Sequence, residues 1–118
     1  MEEKEFEKLV RKAIKELPSI FREKMENVVV LVQESPDSSQ TRRFGKNLLG
    51  LYEGVPLDQR GQAYSGAMPD KITIFKNNIE AGSANPDETI ARVKHVVKHE
   101  IAHHFGIDDD WLRQEGTY

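Results

Sequence analysis

His99-Glu100-Ile101-Ala102-His103-His104-Phe105-Gly106-Ile107-Asp108-Asp109 decides how this chain is read, because its imidazoles and carboxylates fall at spacings that one cation can use. On an α-helix, positions i and i+4 lie about 40° apart around the axis and about 6 Å apart along it, so His99 and His103 can grip a single ion. Glu100 directly follows the first imidazole. Its carboxylate can lie beside the cation without filling a coordination position, where it can take a proton from water. Gly106 falls where the helix should stop, at a position that often turns into the left-handed region glycine enters most easily. Such a turn can bring an aspartate back under the cation. Asp108, Asp109 and Asp110 are all within reach; the offset of six residues from His103 favours Asp109, leaving the other two to orient an imidazole or cap a following helix. His104 points about 100° away from His103 and reads as a supporting or surface residue, while His95 shares a face with His99 one turn upstream and has no assigned role.

Chance accounts poorly for the pattern. With four His and thirteen Glu in 118 residues, His-Glu-x-x-His alone arises in roughly one random chain in a hundred of this composition. Adding Gly and Asp at their offsets lowers that to on the order of one in ten thousand. Two neutral imidazoles and a carboxylate suit zinc and leave a corner open for water.

Composition narrows the remaining possibilities. A chain of 118 residues with 37% hydrophobic content is long enough to bury one core and too short for two, so residues 1–118 are expected to form a single domain. No apolar run is long enough to cross a bilayer, and the acidic start Met1-Glu2-Glu3-Lys4-Glu5 lacks the apolar region of a signal peptide. The expected location is the cytoplasm, with no membrane partner. The absence of cysteine removes disulfides, thiolate metal sites and a thiol nucleophile, so any metal must be held by His and carboxylate. A net charge of −3 offers nothing to a phosphate backbone, and no nucleic-acid partner is expected.

Around the motif the pattern is α+β. Phe6, Leu9, Val10, Ala13, Ile14 and Leu17 keep helical spacing and predict an amphipathic helix ending near Leu17-Pro18, with a short helical turn from Ser19 to Met25. The β-branched run Val28-Val29-Val30-Leu31-Val32 predicts a buried strand. Glu34 to Asn47 is polar and aperiodic and reads as a mobile loop. Leu48 to Tyr52 predicts a second strand with an irregularity or a close backbone approach at Gly50, Pro56 to Asp70 a second loop, and Lys71 to Phe75 a third strand. Asn85-Pro86-Asp87-Glu88 has the form of a helix start, with Asn as cap and Pro in the first position. The helix should run from Pro86 to Phe105, with Ile90, Val93, Val97, Ile101 and Phe105 as its core stripe and the imidazole pair to one side. Asp110-Trp111-Leu112 would open a last short helix. Tyr52 and Tyr64 read as core or loop anchors, either of which could donate a hydrogen bond to an oxyanion.

At His99 through Asp109 the chain resembles the zincin metallopeptidases, and specifically the metzincin signature with Asp in place of its third His. Over nearly its whole length it is similar to a small bacterial family of metallopeptidases with a minimal zincin, or matrix-metalloprotease-like, domain. Leu17-Pro18, Gly50-Leu51-Tyr52-Glu53-Gly54, Leu57 and Pro69-Asp70-Lys71-Ile72 carry the likeness along with the motif. The resemblance implies a compact α+β domain with a small three- to four-stranded mixed sheet packed against an N-terminal helix and the C-terminal metal-binding helix. It also implies one zinc held by His99, His103 and Asp109, with Glu100 catalytic. The chain departs from metzincins in having no methionine after the motif, since Met1, Met25 and Met68 all precede it and nine residues follow Asp109. The site is therefore expected to be shallow, or completed by a loop or partner chain.

These observations predict a zinc-dependent peptidase acting on a peptide or protein, in which a sheet edge, either Leu48 to Tyr52 or Ile72 to Phe75, pairs with the substrate. The alternative is a metal-stabilised peptide- or protein-binding module with weak or no catalysis. A zinc-assisted RNA hydrolase fits less well, because the acidic balance and the adjacent glutamate both count against it.

Overall fold

The computed structural model describes residues 1–54 and 69–105. Along the chain come α1 (Glu3–Lys15), α2 (Ser19–Lys24), β1 (Val28–Gln33), α3 (Ser38–Phe44), β2 (Gly50–Glu53), β3 (Asp70–Phe75), α4 (Lys76–Ala81) and α5 (Pro86–Phe105). The three strands form one mixed sheet in the order β1-β3-β2, with β1 parallel and β2 antiparallel to β3. This is the α+β arrangement expected of a minimal zincin-like domain. None of the helices among the described residues is long and apolar enough to cross a membrane.

A single apolar core fixes how the helices lie on the sheet. Phe6, Val10 and Ala13 of α1 meet Ile90, Val93, Val97 and Ile101 of α5 over Ile72 and Ile74 of the central strand, and Leu17 and Phe21 close one end. Val28, Val30, Val32 and Tyr52 project onto that core from the two edge strands, so the helices cover one face of the sheet. Loss of apolar area to water drives this assembly and rotates α5 until its stripe points inward. A Lys94–Glu16 pair at 3.1 Å spans the α5–α1 seam at the surface.

Two expectations need correction. Val28-Val29-Val30-Leu31-Val32 does form a strand, but not a buried one: among the described residues it lies at the sheet edge, and Val29 and Leu31 are 41% and 46% exposed. The unbroken apolar run reflects the β preference of branched side chains as much as burial. The segment 34–47, expected to be a mobile loop, contains α3. Its helix is started by a capping box in which Asp37 Oδ1 accepts from the Gln40 backbone N–H at 2.8 Å and Gln40 Oε1 accepts from the Asp37 N–H at 2.9 Å. Gly45 follows at φ 90°, where its lack of a side chain is required. Such a helix, with no buried residue, has no apolar period to betray it. The segment 76–84, for which no element was expected, carries α4. Of the loop expected from Pro56 to Asp70, residues 56–68 lie outside the described residues and Asp70 already opens β3; the helix expected from Asp110 lies outside them as well.

Candidate metal centre

Local chemistry first fixes where α5 begins. Asn85 Oδ1 accepts from the Glu88 backbone N–H at 2.9 Å and Glu88 returns a carboxylate oxygen to the Ala84 N–H at 3.0 Å, with Pro86 in the first turn as expected. Asp87 and Glu88 sit at the positive end of the helix, a placement favourable to the helix dipole, and His103 and His104 fall in its last turn. The buried stripe then sets the rotation. With Val93, Val97 and Ile101 inward, helical geometry carries Val96, Glu100 and His104 to the flank facing β2 and His99 and His103 further out on the same side.

His99 and His103 come together as the i,i+4 spacing predicts. Their ring centroids are 4.0 Å apart and their planes are tilted by 57°. His95 stacks on His99 with centroids 6.1 Å apart. Glu100 is half-buried between the helix and β2. Burial pushes its carboxyl above the ordinary carboxylate range, an effect opposed by the bond it accepts from the Tyr52 backbone N–H and by the nearby His103. Leu48, Leu49, Gly50, His95, Val96, His99 and Glu100 line a mainly apolar cavity of about 250 Å³ at this flank.

β2 approaches the helix unusually closely. A Cβ on Gly50 would fall 2.5 Å from Cγ1 of the buried Val96, so of the irregularity or close approach expected at this glycine the structure shows the close approach. The strand is held in place from behind: the Phe75 N–H donates to the Leu49 carbonyl at 3.0 Å, and the Asn78 side chain donates to the carbonyls of Lys46 and Leu48 at 3.0 and 2.8 Å.

Beside the imidazole pair lies a cluster that sequence reasoning missed. The Tyr52 hydroxyl donates to Asp70 Oδ2 at 2.8 Å, His104 Nε2 is 3.7 Å from that same oxygen, and the Tyr52 and His104 rings stack with centroids 3.9 Å apart. Asp70 is buried. His104, expected as a supporting or surface residue, is thus partly exposed and faces Asp70, and the Tyr52 hydroxyl is committed to Asp70 rather than to an oxyanion. Tyr52 and Asp70 are 18 residues apart and meet only because β2 and β3 pair in one register, which no local spacing rule contains.

Two further points concern the expected site. Asp109, like Asp108, Asp110, Gly106 and Tyr64, lies outside the described residues, and among the described residues no three His, Cys, Asp or Glu side chains gather as a metal site. The choice of substrate-pairing edge is corrected as well. Ile72 to Phe75 belongs to the central strand and has neighbours on both sides, whereas β2 has one partner strand among the described residues and lies against α5.

Comparison with curated proteins returns no match. The family model for zincin-like metallopeptidases matches residues 25–117, a span that takes in all three strands and the whole of the histidine-bearing helix. Sheet, helix and paired imidazoles therefore fall within one continuous match, and the chain belongs to the zincin-like metallopeptidase family.

Proposed function

We propose that the chain is a zinc-dependent peptidase in which His99, His103 and Asp109 hold one metal ion and Glu100 is the general base. The observation that carries this reading is the placement of Glu100. Its carboxylate is half-buried, bonded to the Tyr52 backbone N–H and close to His103, one of two imidazoles whose rings lie 4.0 Å apart. Those imidazoles fit two positions of a tetrahedral zinc site, and a carboxylate would complete the three protein ligands that leave a corner open. Zinc bound there would supply Lewis acidity, polarising both a water molecule and a substrate carbonyl.

The chain's own residues do the rest. Glu100 takes a proton from the water as its oxygen bonds to the amide carbon, then delivers that proton to the amine as the carbon–nitrogen bond breaks. One water and one amide become one acid and one amine. A carboxyl whose proton affinity is raised by burial is better suited to both transfers than an exposed one. The bond from Tyr52 holds the carboxylate against β2, the same strand offered to an extended peptide as a pairing edge. A substrate strand laid there would bring its carbonyl groups past Glu100.

Glu100→Gln keeps the shape and the Tyr52 bond while removing the base. With a broad peptide library as substrate, it is expected to lose hydrolysis by about a hundredfold or more, the usual range for a proton-transfer residue, and to retain stoichiometric zinc. Zinc bound without turnover in the unsubstituted chain would instead favour the binding module.

A further inference from the structure

Tyr52 touches the helix in two ways at once. Its backbone N–H donates to the Glu100 carboxylate and its ring lies flat on His104, at an interplanar angle of 16°. What fixes the tyrosine is Asp70. Across the β2–β3 ladder Tyr52 faces Ile72, which makes Asp70 its diagonal neighbour on the same face of the sheet, within reach of a long side chain. The resulting 2.8 Å bond ends on a buried carboxylate that also faces His104. The chain leaving β2 is fitted to the same carboxylate: a Cβ on Gly54 would come within 2.9 Å of Asp70 Cγ and 3.0 Å of both its oxygens. Asp70 is short and held, so it has little room to yield.

From this arrangement we infer that Tyr52 and Asp70 are positioning residues that clamp the His103–His104 turn of α5, and the Glu100 carboxylate with it, against β2. His103 and His104 are consecutive, so any rotation of the turn about the helix axis moves both rings together. Anchoring His104 from the sheet thereby fixes the direction in which His103 points, and the single tyrosine ties that direction to the position of Glu100. The consequence for a bound metal rests on the zinc-peptidase reading above. The clamp itself does not.

The test uses the full chain with Tyr52→Phe, which keeps the stacked ring and removes the hydroxyl, and Asp70→Asn, which keeps an oxygen acceptor for that hydroxyl. Glu53→Gln, in the exposed pair with Lys71 on the same two strands, is the control. In the metal-free protein, Tyr52→Phe is expected to speed amide hydrogen exchange of residues 99–105 about tenfold, the order of effect expected when a buried acceptor loses its donor, while α1 exchanges as before. Affinity for zinc, read by competition with a chromophoric chelator, should fall by a similar factor. Asp70→Asn should be the milder of the two and Glu53→Gln silent. Exchange and zinc affinity within twofold of the unsubstituted chain, or exchange rising equally in α1 and α5, would overturn the clamp. An unsubstituted chain that binds no zinc would overturn the peptidase reading instead, with the exchange comparison still deciding the clamp.

Discussion

β1 and β2 flank the same central strand, yet they meet very different surroundings. β1 is the longer and more apolar, pairs with β3 over six residues, and turns Val29 and Leu31 toward solvent. β2 has four residues, begins on a glycine, and runs against the helix that carries every histidine of the chain. The richer strand supports the fold, whereas the poorer one lies beside Glu100 and the histidines. Closeness explains the difference: β2 can approach α5 because Gly50 has no side chain, and that approach lets Tyr52 reach both Glu100 and His104.

Closing the gap at Gly50 is the strongest way to break the contrast. Gly50→Ala forces a Cβ into Val96, which is buried and, as a β-branched residue on a helix, stiff at χ1, and overpacking of this kind costs about 1–3 kcal/mol. Urea unfolding should show that loss, and zinc affinity should fall with it as β2 moves away from the helix.

A smaller effect separates the two edges by pH. Because Glu100 has a raised pKa in the folded chain, the folded state holds a proton that the unfolded chain releases once pH passes the ordinary value of 4.5. The stability tied to this group is therefore fully present below that value and is lost as pH rises through the folded pKa. Metal-free Glu100→Gln should be slightly more stable than the unsubstituted chain at pH 8 and no more stable at pH 4, as read by denaturant midpoints.

The smallest effect is expected on β1. Val29→Thr with Leu31→Thr keeps β preference on an exposed face and should leave stability within about 0.5 kcal/mol and zinc affinity unchanged. A larger loss in either would show that this edge is more than scaffold.

What could be read in advance followed from how local each signal is. α5 was legible from its N-cap through its paired imidazoles, since the cap, the buried positions Ile90, Val93, Val97 and Ile101 and the two rings are all written between residues 85 and 103. A glycine interrupting an apolar run marked Gly50 as an irregularity or a close approach, and folding decided between the two. The exposure of Val29 and Leu31 was not legible, because a strand's sequence does not say how many faces its neighbours will cover. α3 was hidden by its lack of a buried face, although Asp37-Ser38-Ser39-Gln40 does spell out its capping box. The Tyr52–Asp70–His104 cluster was the least accessible, because it joins two strands and a helix through a sheet register that exists only after folding. His104 on its own gave no hint of it.

The central claim is that His99 and His103 converge with Asp109 on one zinc ion beside Glu100. X-ray absorption on the zinc-loaded chain, alongside His103→Ala and Asp109→Ala, tests it most directly. The account predicts one zinc per chain with two imidazole nitrogens and oxygen ligands, loss of stoichiometric binding in His103→Ala, and markedly weaker binding in Asp109→Ala. Zinc uptake unchanged by either substitution, or a signal lacking imidazole, would contradict it.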